Sequence, residues 1–315
     1  MTDSGCQSKC FFRGLGCMVA LLCMLIIVGC GTPGAPAPTD TSTTSTGVAP
    51  RGAYLGQEPP GMQAEIFAPG IVSDTRFMEW CGTFSPDGTE YYFYRYFGDS
   101  PSKIFATMLV DGRWTPPEPC AFTGESSAAE PHLTFDNQTL YFNWKVAVAG
   151  GEPGYQAEAE YYFVERTADG WSEPLQAGQG MFMSSTRDGQ IYTTDMSSRA
   201  TGKTYLAKVE RDDGVFEAYE RLSIEPHYGS QAHPGIAPDG SYILFDVDGG
   251  SHLFVSFKQV DGTWGEAIDL TKHGFDPLAG GASVSPDGKY LFFALRDDIW
   301  WVDIKVIESL RPADE

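Results

Sequence analysis

GTFSPDGTEYYF, residues 82–93, sets a Pro-Asp-Gly turn before a run of aromatic residues, and the chain repeats that phrase five times. It returns as HLTFDNQTLYFN (132–143), MSSTRDGQIYTT (183–194), GIAPDGSYILF (235–245) and SVSPDGKYLFF (283–293). The turn aspartates Asp87, Asp136, Asp188, Asp239 and Asp287 stand 49, 52, 51 and 48 residues apart. So steady a period marks one supersecondary unit copied and stacked.

Asp-Gly supplies the positive φ values of a tight hairpin, and Pro86, Pro238 and Pro286 suit the bend before it. The following run, such as Tyr91-Tyr92-Phe93-Tyr94, has the aromatic content of a strand buried between sheets. A third strand and a second turn ending on an aromatic come next, as in Asp111-Gly112-Arg113-Trp114 and Asp261-Gly262-Thr263-Trp264. Two turns per period give four strands per unit, which is a β-propeller blade. The chain is therefore expected to be all-β, a propeller of four-stranded blades over residues 56–315.

SPDGTEYYF and SPDGKYLFF, with DGxW at the next turn, resemble the Pro-Asp-Gly, WD-repeat-like units of TolB-like β-propellers over about residues 60–312. TolB-type propellers have six blades. Five visible repeats favour five here, with six as the alternative. The resemblance implies a fold and leaves function open, because this architecture serves as platform, scaffold and enzyme. The last repeat lacks its aromatic turn, whereas Pro59–Phe67 resembles the stretch after such turns in other repeats, for instance Trp114–Pro119. The N-terminal segment is therefore expected to supply the outer strand of the last blade, pairing near Asp298–Asp303 and covering an open edge.

The first 29 residues read as a secretory signal: Lys9 and Arg13 precede an apolar run from Leu15 to Val28, too short for an ordinary membrane span. Val28-Gly29-Cys30 resembles the lipobox of bacterial lipoproteins, which implies lipidation of Cys30. Gly31, rather than Asp, after that cysteine favours the outer membrane, facing the periplasm. Residues 30–55, rich in Pro, Thr, Ser and Gly, read as a flexible tether.

The net charge of −21 lacks the basic footprint of nucleic-acid binding, so no nucleic-acid partner is expected. Of seven cysteines, only Cys81 and Cys120 fall in the propeller. They belong to the innermost and outermost strands of one blade, about three strand spacings of ~4.8 Å apart, too far for a disulfide.

The chain holds no P-loop, no dinucleotide fingerprint, no CxxC pair and no Ser-centred nucleophile elbow. Any site is therefore sought where the inner strands line the channel. Counting back by even steps from each turn aspartate places Glu79, Glu130, His132, Gln231 and His233 on one channel-facing side. Carboxylates and imidazoles meeting there could hold a divalent metal, although no cofactor is required. Gln231 and His233 also resemble the Gln and His metal ligands of propeller-fold oligogalacturonate lyases. The leading expectation is an envelope-anchored binding or scaffolding platform for a protein, peptide or glycan. The alternative is a metal-assisted lyase or glycoside-active enzyme at the channel mouth.

Overall fold

The computed structural model describes residues 49–98, 100–145, 160–247 and 250–313; the signal, Cys30 and the tether up to residue 48 lie outside them. The described chain forms five antiparallel sheets, one for each sequence repeat, arranged as a five-bladed propeller. In blade 1 the strands Met78–Phe84, Glu90–Phe97, Ser100–Val110 and Arg113–Trp114 run outward from the axis, with Glu118–Pro119 adding to the third. The other innermost strands are Ser127–Leu133, Met181–Ser185, Gln231–Ile236 and Gly280–Val284.

The ring closes through the N-terminal segment. Glu65–Ile66 pairs antiparallel with Asp298–Asp303, Glu65 opposite Trp301 and Ile66 opposite Trp300. Phe67 continues the contact by donating its N–H to the Ile299 carbonyl. The folded body also takes in Pro50–Leu55. The Pro50 and Gly52 carbonyls accept the backbone and indole N–H of Trp114, and Leu55 is buried. Pro50–Leu55 thus packs on the face that carries the Pro-Asp-Gly turns.

The aromatic runs do not alternate between core and solvent because both faces of each blade are buried. Tyr91 and Phe93 pack toward blade 5 with Phe67, Phe292 and Trp301, while Tyr92 packs toward blade 2 with Leu133 and Leu140. Similar clusters fill the other blade interfaces.

The repeated turns differ from the tight hairpin expected of Asp-Gly. Only the last residue has positive φ (Gly88, Asn137, Gly189, Gly240 and Gly288), and each donates its N–H to the residue three before it. This is a type I turn followed by a left-handed residue, which explains proline at the second position. The second turns at Asp111-Gly112 and Asp213-Gly214 do have positive φ at both residues. A hydroxyl locks four of the five first turns. Ser85, Thr134, Thr186 and Ser285 donate to the turn aspartate and accept a backbone N–H from the returning strand. Blade 4 has Ala237 at that position.

Candidate functional site

Every inner strand carries a β-bulge. The register shifts between Glu79 and Gly82, Ala129 and His132, Met181 and Met183, Ala232 and Gly235, and Gly280 and Ser283. Within it Glu130, Phe182, His233 and Gly281 adopt left-handed backbone, with φ of 55°, 52°, 52° and 58°. Recurrence in all five blades makes the bulge a property of the repeat. What differs from blade to blade is the side chain it aims at the axis.

One extra residue inverts the alternation on the far side of the bulge. Glu79 and Gln231, which even spacing assigns to the channel, consequently turn away from it. Glu79 is fully buried; its Oε1 accepts from Arg95 Nε at 2.6 Å and its Oε2 from the Asp74 N–H. Burial pushes its carboxyl up to about 7, outweighing the Asp74 N–H and the Arg95 charge that pull it down. Gln231 directs Nε2 to the Ile224 carbonyl, and Ile224 belongs to the cluster between blades 3 and 4.

The other three residues stay near the axis but keep separate partners. The Oε2 of Glu130 accepts from the Tyr161 hydroxyl and from the Phe182 N–H of the next blade. The Nε2 of His132 lies 2.8 Å from the Ser185 hydroxyl, also on the next blade. Burial, with the Arg211 charge adding to it, lowers the His132 pKa to about 4, so the ring is neutral. His233 Nδ1 sits 2.8 and 2.9 Å from the two oxygens of Asp246, a fully buried carboxylate that also accepts the Gly281 N–H. Burial pulls the imidazole toward neutrality, yet Asp246, aided by Glu130, outweighs it and holds the His233 pKa above its ordinary value.

Even spacing misses Trp80, which stands an odd step before the turn. Its ring meets Phe182 and His233 edge-on, at centroid distances of 5.7 and 4.6 Å. A Cβ added to Gly281 would come within 2.9 Å of it, so glycine there makes room for the indole. A blade 1 side chain that reaches blades 3, 4 and 5 crosses the axis, and Trp80 covers the mouth where the inner strands begin.

Arg187 stands at the opposite mouth. It replaces the proline of blade 3, donates its backbone N–H to the Pro238 carbonyl and its Nη2 to the Pro286 carbonyl, and stands over the Phe135 ring. Along the axis lies a cavity of about 50 Å³ lined by all five inner strands, with Cys81, Thr83, Glu130, His132, Ser185 and Ser283 on its wall. Among the described residues no group of three or more His, Cys, Asp or Glu side chains is placed to hold a metal ion. The cysteines Cys81 and Cys120 are both free thiols.

No protein-family model and no curated protein matches this chain. Solved structures do. TolB from Acinetobacter baumannii is similar at 15% identity over 72% of this chain and 55% of its own, with a TM-score of 0.45. A putative TolB from Agrobacterium tumefaciens is similar at 17% identity over 74% and 79%, with a TM-score of 0.47. A periplasmic gluconolactonase from Pseudomonas aeruginosa is similar at 16% identity over 67% and 63%, with a TM-score of 0.42. This chain spans about half the length of the first of these.

Proposed function

We propose that this protein is a lipid-anchored component of the bacterial envelope whose propeller serves as a binding or scaffolding platform for a protein, peptide or glycan. The narrowness of the channel carries this reading. An axial cavity of about 50 Å³ has room for a water or two and none for a sugar ring or peptide. Recognition then falls to an outer face.

The face around Trp80 is the one to expect. Tyr96, Tyr228 and Leu278 are exposed there, on blades 1, 4 and 5. Among the described residues no helix is long and apolar enough to cross a membrane, and the membrane attachment proposed here is the lipid alone.

His233 and Asp246 favour a second reading, an enzyme using the buried imidazole for acid–base chemistry once Trp80 moves aside. Binding of the full chain to panels of envelope proteins, peptides and glycans, each followed for turnover, separates the two. Saturable binding without product supports the platform. Product formation that disappears in His233→Ala overturns it. Cys30→Ser tests the anchor: the protein should move from the membrane to the soluble fraction, and its retention in the membrane would make Leu15–Val28 the anchor instead.

A further inference from the structure

The hydroxyl of Tyr91 is a buried polar atom that finds no hydrogen-bond partner among the described residues. Its side chain is 1% exposed and lines the axial cavity. The OH stands so close to the inner strand that a Cβ on Gly82 would lie 2.3 Å from it. A bare hydroxyl in such a place costs roughly 1–3 kcal/mol, and a native core rarely leaves one so. The same cavity wall presents Thr83, His132, Ser185 and Ser283, all able to donate or accept, with the Glu130 carboxylate above them.

We infer that the axial cavity is a water-binding site, holding one or two molecules that complete the hydrogen bonding of Tyr91 and join inner strands of different blades. Size and polarity both agree. A buried water needs about 10–15 Å³ of this measure and two to four polar partners, against about 50 Å³ available here. Larger hydrogen-bonding solutes are excluded by the same volume, and an apolar occupant would leave the Tyr91 hydroxyl unmet. A hydroxyl-lined wall suits bound water, in contrast to the aromatic and aliphatic side chains that fill the blade interfaces. The Trp80 indole lies against Phe182 of the cavity wall and slows exchange of this water through that end.

Nuclear magnetic relaxation dispersion of water, measured on the full chain, counts long-lived internal molecules. Tyr91→Phe should lower that count by at least one, and Trp80→Ala should shorten the residence time by tenfold or more without removing the site. Thermal unfolding supplies an independent readout. A hydroxyl that binds water is neutral or stabilising, so Tyr91→Phe should leave Tm unchanged or lower it. An unchanged count together with a raised Tm would overturn the inference, because it would show a dry cavity relieved of an unmet hydroxyl. Xenon entering the cavity of the wild-type protein under pressure would overturn it as well.

Discussion

The indole of Trp80 rests edge-on against the imidazole of His233, 4.6 Å between ring centroids, and this pair joins blade 1 to blade 4 across the propeller axis. Asp246 fixes the imidazole from behind and, through the Gly281 N–H, also fixes the glycine over which the indole lies. One buried carboxylate therefore positions both the support and the clearance of the channel cover. Blade 1 supplies the lid, and blades 4 and 5 supply its seat.

Removing the lid should expose the cavity beneath it. Cys81 lines that cavity and is buried, and burial followed by the Glu130 charge holds its thiol pKa well above the ordinary value. Both facts make it unreactive. Trp80→Ala should raise its alkylation rate by tenfold or more, read by peptide mass mapping with Cys120 as internal reference. The fold should survive at a cost of about 2 kcal/mol, because Trp80 is only half-buried. Equal labelling of Cys81 in both proteins would mean that the indole does not close the mouth.

His132 gives the fold an acid-sensitive element. Its pKa is lowered from 6.5 to about 4 in the folded state, so the unfolded chain binds the extra proton between those values. A depressed folded pKa contributes stability that is complete above about pH 6.5 and falls away as the pH drops toward 4. The full effect is about 3 kcal/mol. His132→Gln, which can still reach Ser185, should flatten the dependence of unfolding free energy on pH in that window. Parallel curves for wild type and variant would show that other groups set the acid sensitivity.

Much of the ring is legible because the repeat carries its own punctuation. Aspartate, glycine and proline at fixed intervals give the hairpins, and the same turn logic finds the closing strand at Glu65–Ile66. The bulge leaves almost no mark. Of the four residues it forces into left-handed backbone, only Gly281 suits that conformation, while Glu130, Phe182 and His233 look like ordinary strand residues. Counting by twos therefore carries Glu79 and Gln231 to the wrong side and passes over Trp80. Two site residues do show as departures from pattern. Asp246 is the one charge in the apolar run Tyr242–Val247, and Arg187 stands where three other repeats have proline.

Ala237 offers a gain in stability. The equivalent residues Ser85 and Ser285 are as buried as Ala237, and each hydroxyl bridges the turn aspartate and a returning N–H. Asp239 keeps the same place in blade 4 and already accepts the Ser241 N–H. Ala237→Ser should add the missing bridge, worth about 1 kcal/mol, and raise Tm by a few degrees. A lowered Tm would mean that the packing of Ala237 against Leu244 and Leu291 outweighs the bridge.

The closing segment makes the sharpest demand. Phe67 is fully buried and meets Phe84, Tyr91, Phe292 and Trp301 at centroid distances of 5.9, 5.4, 5.0 and 5.1 Å, so it fills the joint between the last blade and the first. Phe67→Ala should cost about 3–5 kcal/mol, a large share of the stability of a typical domain. Deleting residues 56–68 goes further, because it uncovers the outer edge of Asp298–Asp303, and an unpaired edge recruits other chains. The deletion protein should unfold at lower denaturant and form concentration-dependent aggregates, followed by light scattering. A deletion protein that stays monomeric and melts like the wild type would show that the ring holds without its N-terminal strand.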